Sequence, residues 1–195
     1  MRRLPRLLVS MLAVGLVAVA TTVSYSAFSR STANPGNSFA AGTVTVSDND
    51  AGAAMLSLSS AQPGNSDTSC IRVLYGGSLD ATIRLYATVS GSLAPYLAVT
   101  VTRGTDASPA FDSCSSFTVD TTNYLGSGAG VIYSGLLSAF ATSYSAGIVD
   151  PLSGAPETWT TSEVHSYRFT ISLNNDPAAQ GLSATASFVW EARNL

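Results

Sequence analysis

The sequence predicts an all-β sandwich or barrel, and three observations carry that expectation. The first is a period of two in apolar residues, the signature of half-buried strands, repeated in many short segments. The second is turn chemistry between those segments, built from Gly, Pro, Asn and Asp at fairly regular spacing. The third is composition: the 195 residues are 46% hydrophobic and only 11% charged. That balance lies outside the low-hydrophobicity, high-charge regime of disorder and leaves enough apolar surface for a packed core.

The elements follow in order. Gly42 to Ser47 alternates through Val44 and Val46, and Asp48-Asn49-Asp50-Ala51-Gly52 then reads as a turn. Ala54, Leu56 and Leu58 alternate with Met55, Ser57 and Ser59, up to a second turn at Gln62-Pro63-Gly64-Asn65. Ile71, Val73 and Tyr75 form one stripe, with Cys70, Arg72 and Leu74 opposite, until Gly76-Gly77 interrupts it. Leu79, Ala81, Ile83, Leu85 and Ala87 share a face, and Leu97, Val99 and Val101 repeat the pattern. Phe117 to Val119 and Val131 to Tyr133 are short candidates. Leu136 to Tyr144 fits a helical turn or a loop equally well. Two long stripes close the chain: Tyr167, Phe169, Ile171 and Leu173, then Leu182, Ala184, Ala186, Phe188 and Trp190. Facing one core, these two stripes make Phe188 a core side chain, whose truncation to Ala should cost ~3–5 kcal/mol.

The N-terminus is expected to be a secretory signal helix, residues 1–26. Arg2, Arg3 and Arg6 supply the positive start, Leu7 to Ala20 the apolar stretch, and Ser24 and Ser26 the small residues before a cut between Ser26 and Ala27. Residues 27–38 then form a flexible segment containing Asn34-Pro35-Gly36-Asn37, and 39–195 form the β domain. All nine basic residues are Arg, and twelve are acidic. Cleavage would take three Arg away and leave a net charge of −6. An acidic chain with no basic cluster past the leader does not suit a nucleic-acid partner. Membrane contact is expected only through the leader before cleavage.

Export brings an oxidising compartment, so the one cysteine pair, Cys70 and Cys114, is expected to form a disulfide with its Cα atoms within ~7 Å. The loop it closes would contribute about 4 kcal/mol in the chain-entropy account.

Catalytic chemistry finds little to build on. His165 is the only histidine, and it stands at strand spacing with Tyr167 and Phe169. No His-Glu-x-x-His pattern occurs, and no Gly-x-Ser-x-Gly elbow. The acidic turns Asp48-Asn49-Asp50 and Asn174-Asn175-Asp176 could offer oxygens to calcium, but neither has EF-hand spacing, and solvated turn chemistry explains them. The reading is therefore a non-enzyme with no catalytic, cofactor-binding or metal residues and no cofactor.

Ser24-Tyr25-Ser26-Ala27-Phe28-Ser29, then Phe39-Ala40-Ala41-Gly42-Thr43-Val44, resemble the start of the camelysin/TasA family of secreted bacterial proteins, which carry a SipW-type signal peptide. Leu58 to Gln62-Pro63-Gly64 and Phe188-Val189-Trp190-Glu191-Ala192 are similar to that family's Pro-Gly turn and closing strand. The resemblance implies a jelly-roll-like antiparallel β-sandwich. It also implies a subunit of extracellular or biofilm-matrix fibres, partnered by itself or by other matrix proteins. The cysteine pair and the lack of Lys depart from the better-known Lys-rich relatives. Ala27, Phe28 and Ser29 are then the candidate assembly residues, entering a neighbour's sheet in extended form. Two other functions stand beside this one. A binding module would grip glycan or a surface protein through the loops Ser90–Tyr96 and Thr105–Ser116, with Tyr96 and Phe111 as their rings. A secreted metallopeptidase is the label some family members carry.

Overall fold

A computed structural model describes residues 42–58, 61–107, 110–152 and 155–195. The signal segment, its cleavage residues Ser26 and Ala27 and the assembly candidates Ala27, Phe28 and Ser29 lie outside the described residues. The compact unit spans Ala41–Leu195. It is all-β and antiparallel, with two sheets facing one core.

The strands, in chain order, are β1 (Val46–Asp48), β2 (Ser66–Tyr75), β3 (Ala81–Ser90), β4 (Leu97–Asp106), β5 (Phe117–Val119), β6 (Val131–Leu136), β7 (Ile148–Val149), β8 (Pro151–Leu152), β9 (Ala155–Pro156), β10 (Val164–Leu173) and β11 (Thr185–Asn194). The larger sheet runs β1-β2-β10-β4-β5, with β6 also paired to β4. The smaller runs β11-β3-β7, and β8 with β9 makes a separate hairpin. Successive long strands therefore alternate between sheets: β2, β4 and β10 lie in the larger, β3 and β11 in the smaller.

Register explains the core. In β10, Tyr167 sits opposite Ile71 of β2 and Arg103 of β4, and Phe169 sits between Ser69 and Val101. Side chains two residues apart share a face. The inner face of this sheet therefore carries Ile71, Val73 and Tyr75, then Leu97, Val99 and Val101, then Tyr167, Phe169, Ile171 and Leu173, all buried. From the smaller sheet come Ala81, Ile83, Leu85 and Ala87, also buried. The closing stripes do meet across the core. Phe188 lies 4.7 Å from Phe169 and 5.2 Å from Phe140 between ring centres, and Trp190 lies 5.6 Å from Tyr167.

At the edge of the larger sheet, β5 pairs antiparallel with the end of β4 and approaches it closely. A Cβ on Gly104 would stand 2.2 Å from the Thr118 carbonyl oxygen, so only glycine permits that approach. The Cys70–Cys114 disulfide ties β2 to the loop before β5, with Cα atoms 5.2 Å apart.

Several boundaries differ from the sequence expectation. The first strand is Val46–Asp48 rather than Gly42–Ser47, because Val46, Ser47 and Asp48 pair in register with Tyr75, Leu74 and Val73, whereas the Thr43 and Thr45 carbonyls accept from Ser78 N and Gly76 N past the end of β2. Leu79 lies before β3 and is 39% exposed. The last strand begins at Thr185, not Leu182, because its partner β3 ends at Ser90; a 3-10 turn at Pro177–Ala179, capped by Asp176, lies earlier in the connection. Leu136–Tyr144 resolves into a 3-10 turn at Leu137–Ala139 and the start of another at Tyr144–Ala146. Ala54–Leu58 alternates like a strand but forms none among the described residues.

Candidate functional site

Two places could support function, and both follow from the same register. At one end of the larger sheet the inward stripes run past their apolar residues into charge. The β4 stripe Leu97, Val99, Val101 continues to Arg103, and the β10 stripe Leu173, Ile171, Phe169, Tyr167 continues to His165. Both charged side chains consequently point towards the interior, each only 12% exposed. They are met by the arm Ile148–Glu163. This arm is fastened to β3 through β7 and through reciprocal backbone hydrogen bonds between Ala81 and Trp159.

Asp150 is the centre of the cluster, its side chain 3% exposed. It accepts a hydrogen bond from the Tyr167 hydroxyl at 2.7 Å and one from His165 Nδ1. Arg103 Nε lies 2.8 Å from its Oδ1, an ionic contact whose N–H is not aligned as a hydrogen bond. Arg103 also pairs with Glu157 and, at 3.2 Å, with Asp120, while its Nη1 donates to the Tyr124 hydroxyl at 2.8 Å. Glu163 Oε1 stands 3.3 Å from His165 Nε2, and the Trp159 ring lies 4.1 Å from the imidazole.

Electrostatics follow from this crowding. Burial raises the Glu157 carboxyl above its ordinary range, with His165 and Arg103 opposing and Asp150 and Glu163 reinforcing the rise. Burial pulls Arg103 down, but Asp150 and Glu157 outweigh it and leave the guanidinium more firmly protonated than usual. Tyr167 is pushed well up by burial and by Asp150 beside it.

Asp150, Glu157 and His165 bring one ligand atom each to within 4.8 Å of one another, a spacing that could hold a metal ion. The Arg103 guanidinium stands among them and already supplies positive charge to both carboxylates. The donor set therefore fits a guanidinium better than an added divalent ion. A Ser-His-Asp relay does not fit either: the ring nitrogen that should face a nucleophile, Nε2, faces Glu163. As arranged, the cluster joins β4, β10 and the arm, and so holds the two sheets together at this end.

The second place is a groove of about 570 Å³ on the side of β11. Its floor includes Ile71, Ile171 and Leu173, one wall is Ala184–Phe188 with Trp190, and the other is the segment Asp50–Leu58. β11 is the end strand of its sheet: β3 pairs with all ten of its residues on one edge, and no described strand pairs with the other.

The remaining candidate residues behave as turn and packing groups. Asp48 accepts from Asp50 N, Asp50 from Gly52 N, Asn49 from Arg72 N and Asp176 from Ala178 N. These oxygens are spent on nearby backbone. Tyr96 and Phe111 are half-buried against the core. Cys70 and Cys114 are bridged, which suits an oxidising compartment. Among the described residues no helix is long and apolar enough to cross a membrane.

The charged cluster was missed by sequence reasoning. A usable signal existed: Arg103 and His165 each extend an apolar alternation by one step, and three of the chain's acidic residues and its only histidine fall between 150 and 165.

No protein-family model matches the chain, and no curated protein matches it.

Proposed function

We propose that this chain is a secreted, non-catalytic structural subunit that assembles into extracellular fibres by strand addition, with the jelly-roll wiring of the camelysin/TasA proteins its sequence resembles. One observation carries the reading: among the described residues no strand pairs with the outer edge of β11, which lies beside an apolar groove. An open ten-residue edge is a template for another strand, and natural proteins usually blunt such an edge with charge, proline or a bulge. β11 contains no proline, and its pairing with β3 is unbroken from Thr185 to Asn194. Backbone hydrogen bonds along the edge would give affinity, and the groove would take alternate side chains.

The occupant we assign is the segment 27–33 of a second copy, Ala-Phe-Ser-Arg-Ser-Thr-Ala, with Phe28 in the groove. Asn34-Pro35-Gly36-Asn37 would be the hinge connecting it to the domain. A contact of this head-to-tail kind does not close on itself and continues as a filament. While residue 27 is still fused to the apolar leader, the segment is not free to dock, so export would license assembly. Alternation of long strands between two sheets supports the jelly-roll wiring.

The test compares the chain beginning at Ala27 with a chain beginning at Asn37, at equal concentration, by electron microscopy and sedimentation. Filaments from the first alone are expected. Equal polymerisation by both, or by neither, would remove strand addition.

A further inference from the structure

We infer that the outer face of the larger sheet carries a binding site for the carboxylates of an acidic polysaccharide, built from Arg72, Arg168 and the ring of Phe117 above a buried Ser166. The site lies on the side of that sheet turned away from the core, and it does not depend on strand addition.

Register assembles it. The alternation that turns Ile71, Val73, Tyr167 and Phe169 inward turns Arg72, Ser166 and Arg168 outward. Arg72 stands opposite Ser166 of β10, and Ser166 stands opposite Gly104 of β4. Arg168 is the diagonal neighbour of Arg72 on the same face, a spacing of about 7–8 Å that long side chains span. Phe117 joins this face through its register with Asp106, and its ring covers Gly104, where a Cβ would meet the ring tip at 2.7 Å. The Arg168 guanidinium lies 5.3 Å from the centre of that ring. Ser166, 2% exposed, is therefore a floor between Arg72 and the Phe117 ring, with Arg168 beside it. The Cys70–Cys114 bridge fastens the loop before Phe117 to Cys70, which stands opposite Arg168 across the ladder, so the parts sit on rigid elements.

Charge supplies the second observation. The chain has twelve acidic residues, and all of them are described. Arg103 engages Asp120, Asp150 and Glu157, and Arg193 engages Glu191. Arg72 and Arg168 make no ion pair and no side-chain hydrogen bond with the described residues. Asp112 comes near enough for its N–H to donate to the Cys70 carbonyl at 3.2 Å, and it still pairs with neither. Like charges on neighbouring strands repel. Each guanidinium also presents a planar fork of donors that matches a carboxylate. A carboxylate held between the two relieves the repulsion and fills both forks.

The surroundings select the carrier of that carboxylate. The Phe117 ring offers an apolar surface for the C–H face of a sugar. Away from the arginines the same face continues as Thr68, Thr170 and Thr100, which stand opposite one another in one row of hydroxyls. A nucleic acid suits the face poorly, because two cations on an acidic chain neutralise few of its closely spaced phosphates. A uronate polymer carries one carboxylate per sugar and presents hydroxyls to the threonine row.

Calorimetric titration of the chain beginning at Ala27, disulfide intact, with oligogalacturonate and with its methyl ester tests the inference. The acid should bind, and the ester, which keeps the sugars and loses the charge, should bind at least ~10-fold more weakly. Arg72→Gln and Arg168→Gln should each weaken binding of the acid ~10-fold, whereas Arg84→Gln, on the smaller sheet, should bind it like the parent. Both outer-face variants should unfold in urea no earlier than the parent, since each removes one of two like charges. Earlier unfolding would assign the pair to the fold and overturn the site. No binding of the acid, equal binding of the ester, or parent-like binding by both Gln variants would also overturn it. Inorganic sulfate is the bare-anion probe. Phe117→Leu should weaken oligogalacturonate and leave sulfate unchanged. Equal affinity of the parent for sulfate and oligogalacturonate, with no effect of Phe117→Leu, would leave a simple anion site and overturn the polysaccharide. Self-association of the parent that Arg72→Gln abolishes would assign the pair to acidic groups of a second copy, with the same consequence.

Discussion

Replacing Arg103 with Met tests whether the charged cluster is a structural clasp. Methionine keeps much of the aliphatic length that packs beneath the guanidinium, so the change chiefly removes charge. It leaves Asp150, at 3% side-chain exposure, and Glu157, at 15%, without their shared cation. Removing one partner of a buried ion pair costs about 3–5 kcal/mol, because the survivor stays buried and uncompensated. Asp150 retains Tyr167 and His165 as hydrogen-bond partners, which places the expected loss near the lower end, about 3 kcal/mol. Against a total stability of roughly 5–15 kcal/mol that is a large fraction, easily read in urea unfolding with the disulfide intact.

The pH dependence gives the prediction its sign. Burial already raises Glu157 above its unfolded value, and Arg103 is one of the groups holding it down. A carboxyl whose folded value is raised contributes stability that is present below the unfolded value and is lost as pH rises through the folded one. Without Arg103 that loss deepens, so the deficit of the variant should be greatest near neutral pH and narrow towards acid as Glu157 takes a proton. Arg193→Ala is the comparison: its ion pair with Glu191 is exposed and its guanidinium lies 3.9 Å from the centre of the Tyr144 ring, so a loss of no more than about 1 kcal/mol is expected. A deficit for Arg103→Met under about 1 kcal/mol at pH 7, or one that does not change with pH, would refute the clasp.

Three further outcomes follow from the same structure. Joint replacement of Cys70 and Cys114 by Ala should lower stability by about 4 kcal/mol, since the bridge spans a separation of 44 residues; chemical unfolding of the oxidised parent and the variant compares them. Phe169→Ala, at a fully buried ring, should cost ~3–5 kcal/mol, whereas Phe188→Ala should cost clearly less than its sequence position suggests, because its ring is half-buried at the groove; thermal and urea melts of the two variants give the order. Glu157→Gln should flatten the parent's stability profile on the neutral side of the ordinary carboxylate range, because it removes the raised carboxyl whose contribution is lost as pH rises there; unfolding measured at several pH values reads the slope.

The fold was legible wherever both faces of a strand had distinct fates. β2, β3, β4 and β10 each bury one stripe against the core, so alternation located them and identified their inward residues. Strand ends were less legible, because an end is set by partners elsewhere in the chain. Thr43 and Val44 have strand character, but β2 ends at Tyr75 and offers them no ladder. Thr185 starts β11 because Ser90 ends β3. The disulfide was legible for a different reason: one cysteine pair in a compact chain has one possible partner each.

The charged cluster was illegible because residue type and position were weighed separately. Arg is ordinarily a surface residue and a lone strand histidine ordinarily a packing group, so neither attracted attention. Position overrides type here. Once Leu97, Val99 and Val101 face inward, Arg103 must point the same way, and the register sets it opposite Tyr167, one step from His165. An inward arginine at the end of a core stripe demands buried carboxylates, and the arm Ile148–Glu163 delivers Asp150 and Glu157 to it and Glu163 to the neighbouring His165. Such a cluster need not stabilise more than an apolar plug of the same volume, but any docking of the arm that parts Asp150 and Glu157 from Arg103 would leave buried charge uncompensated.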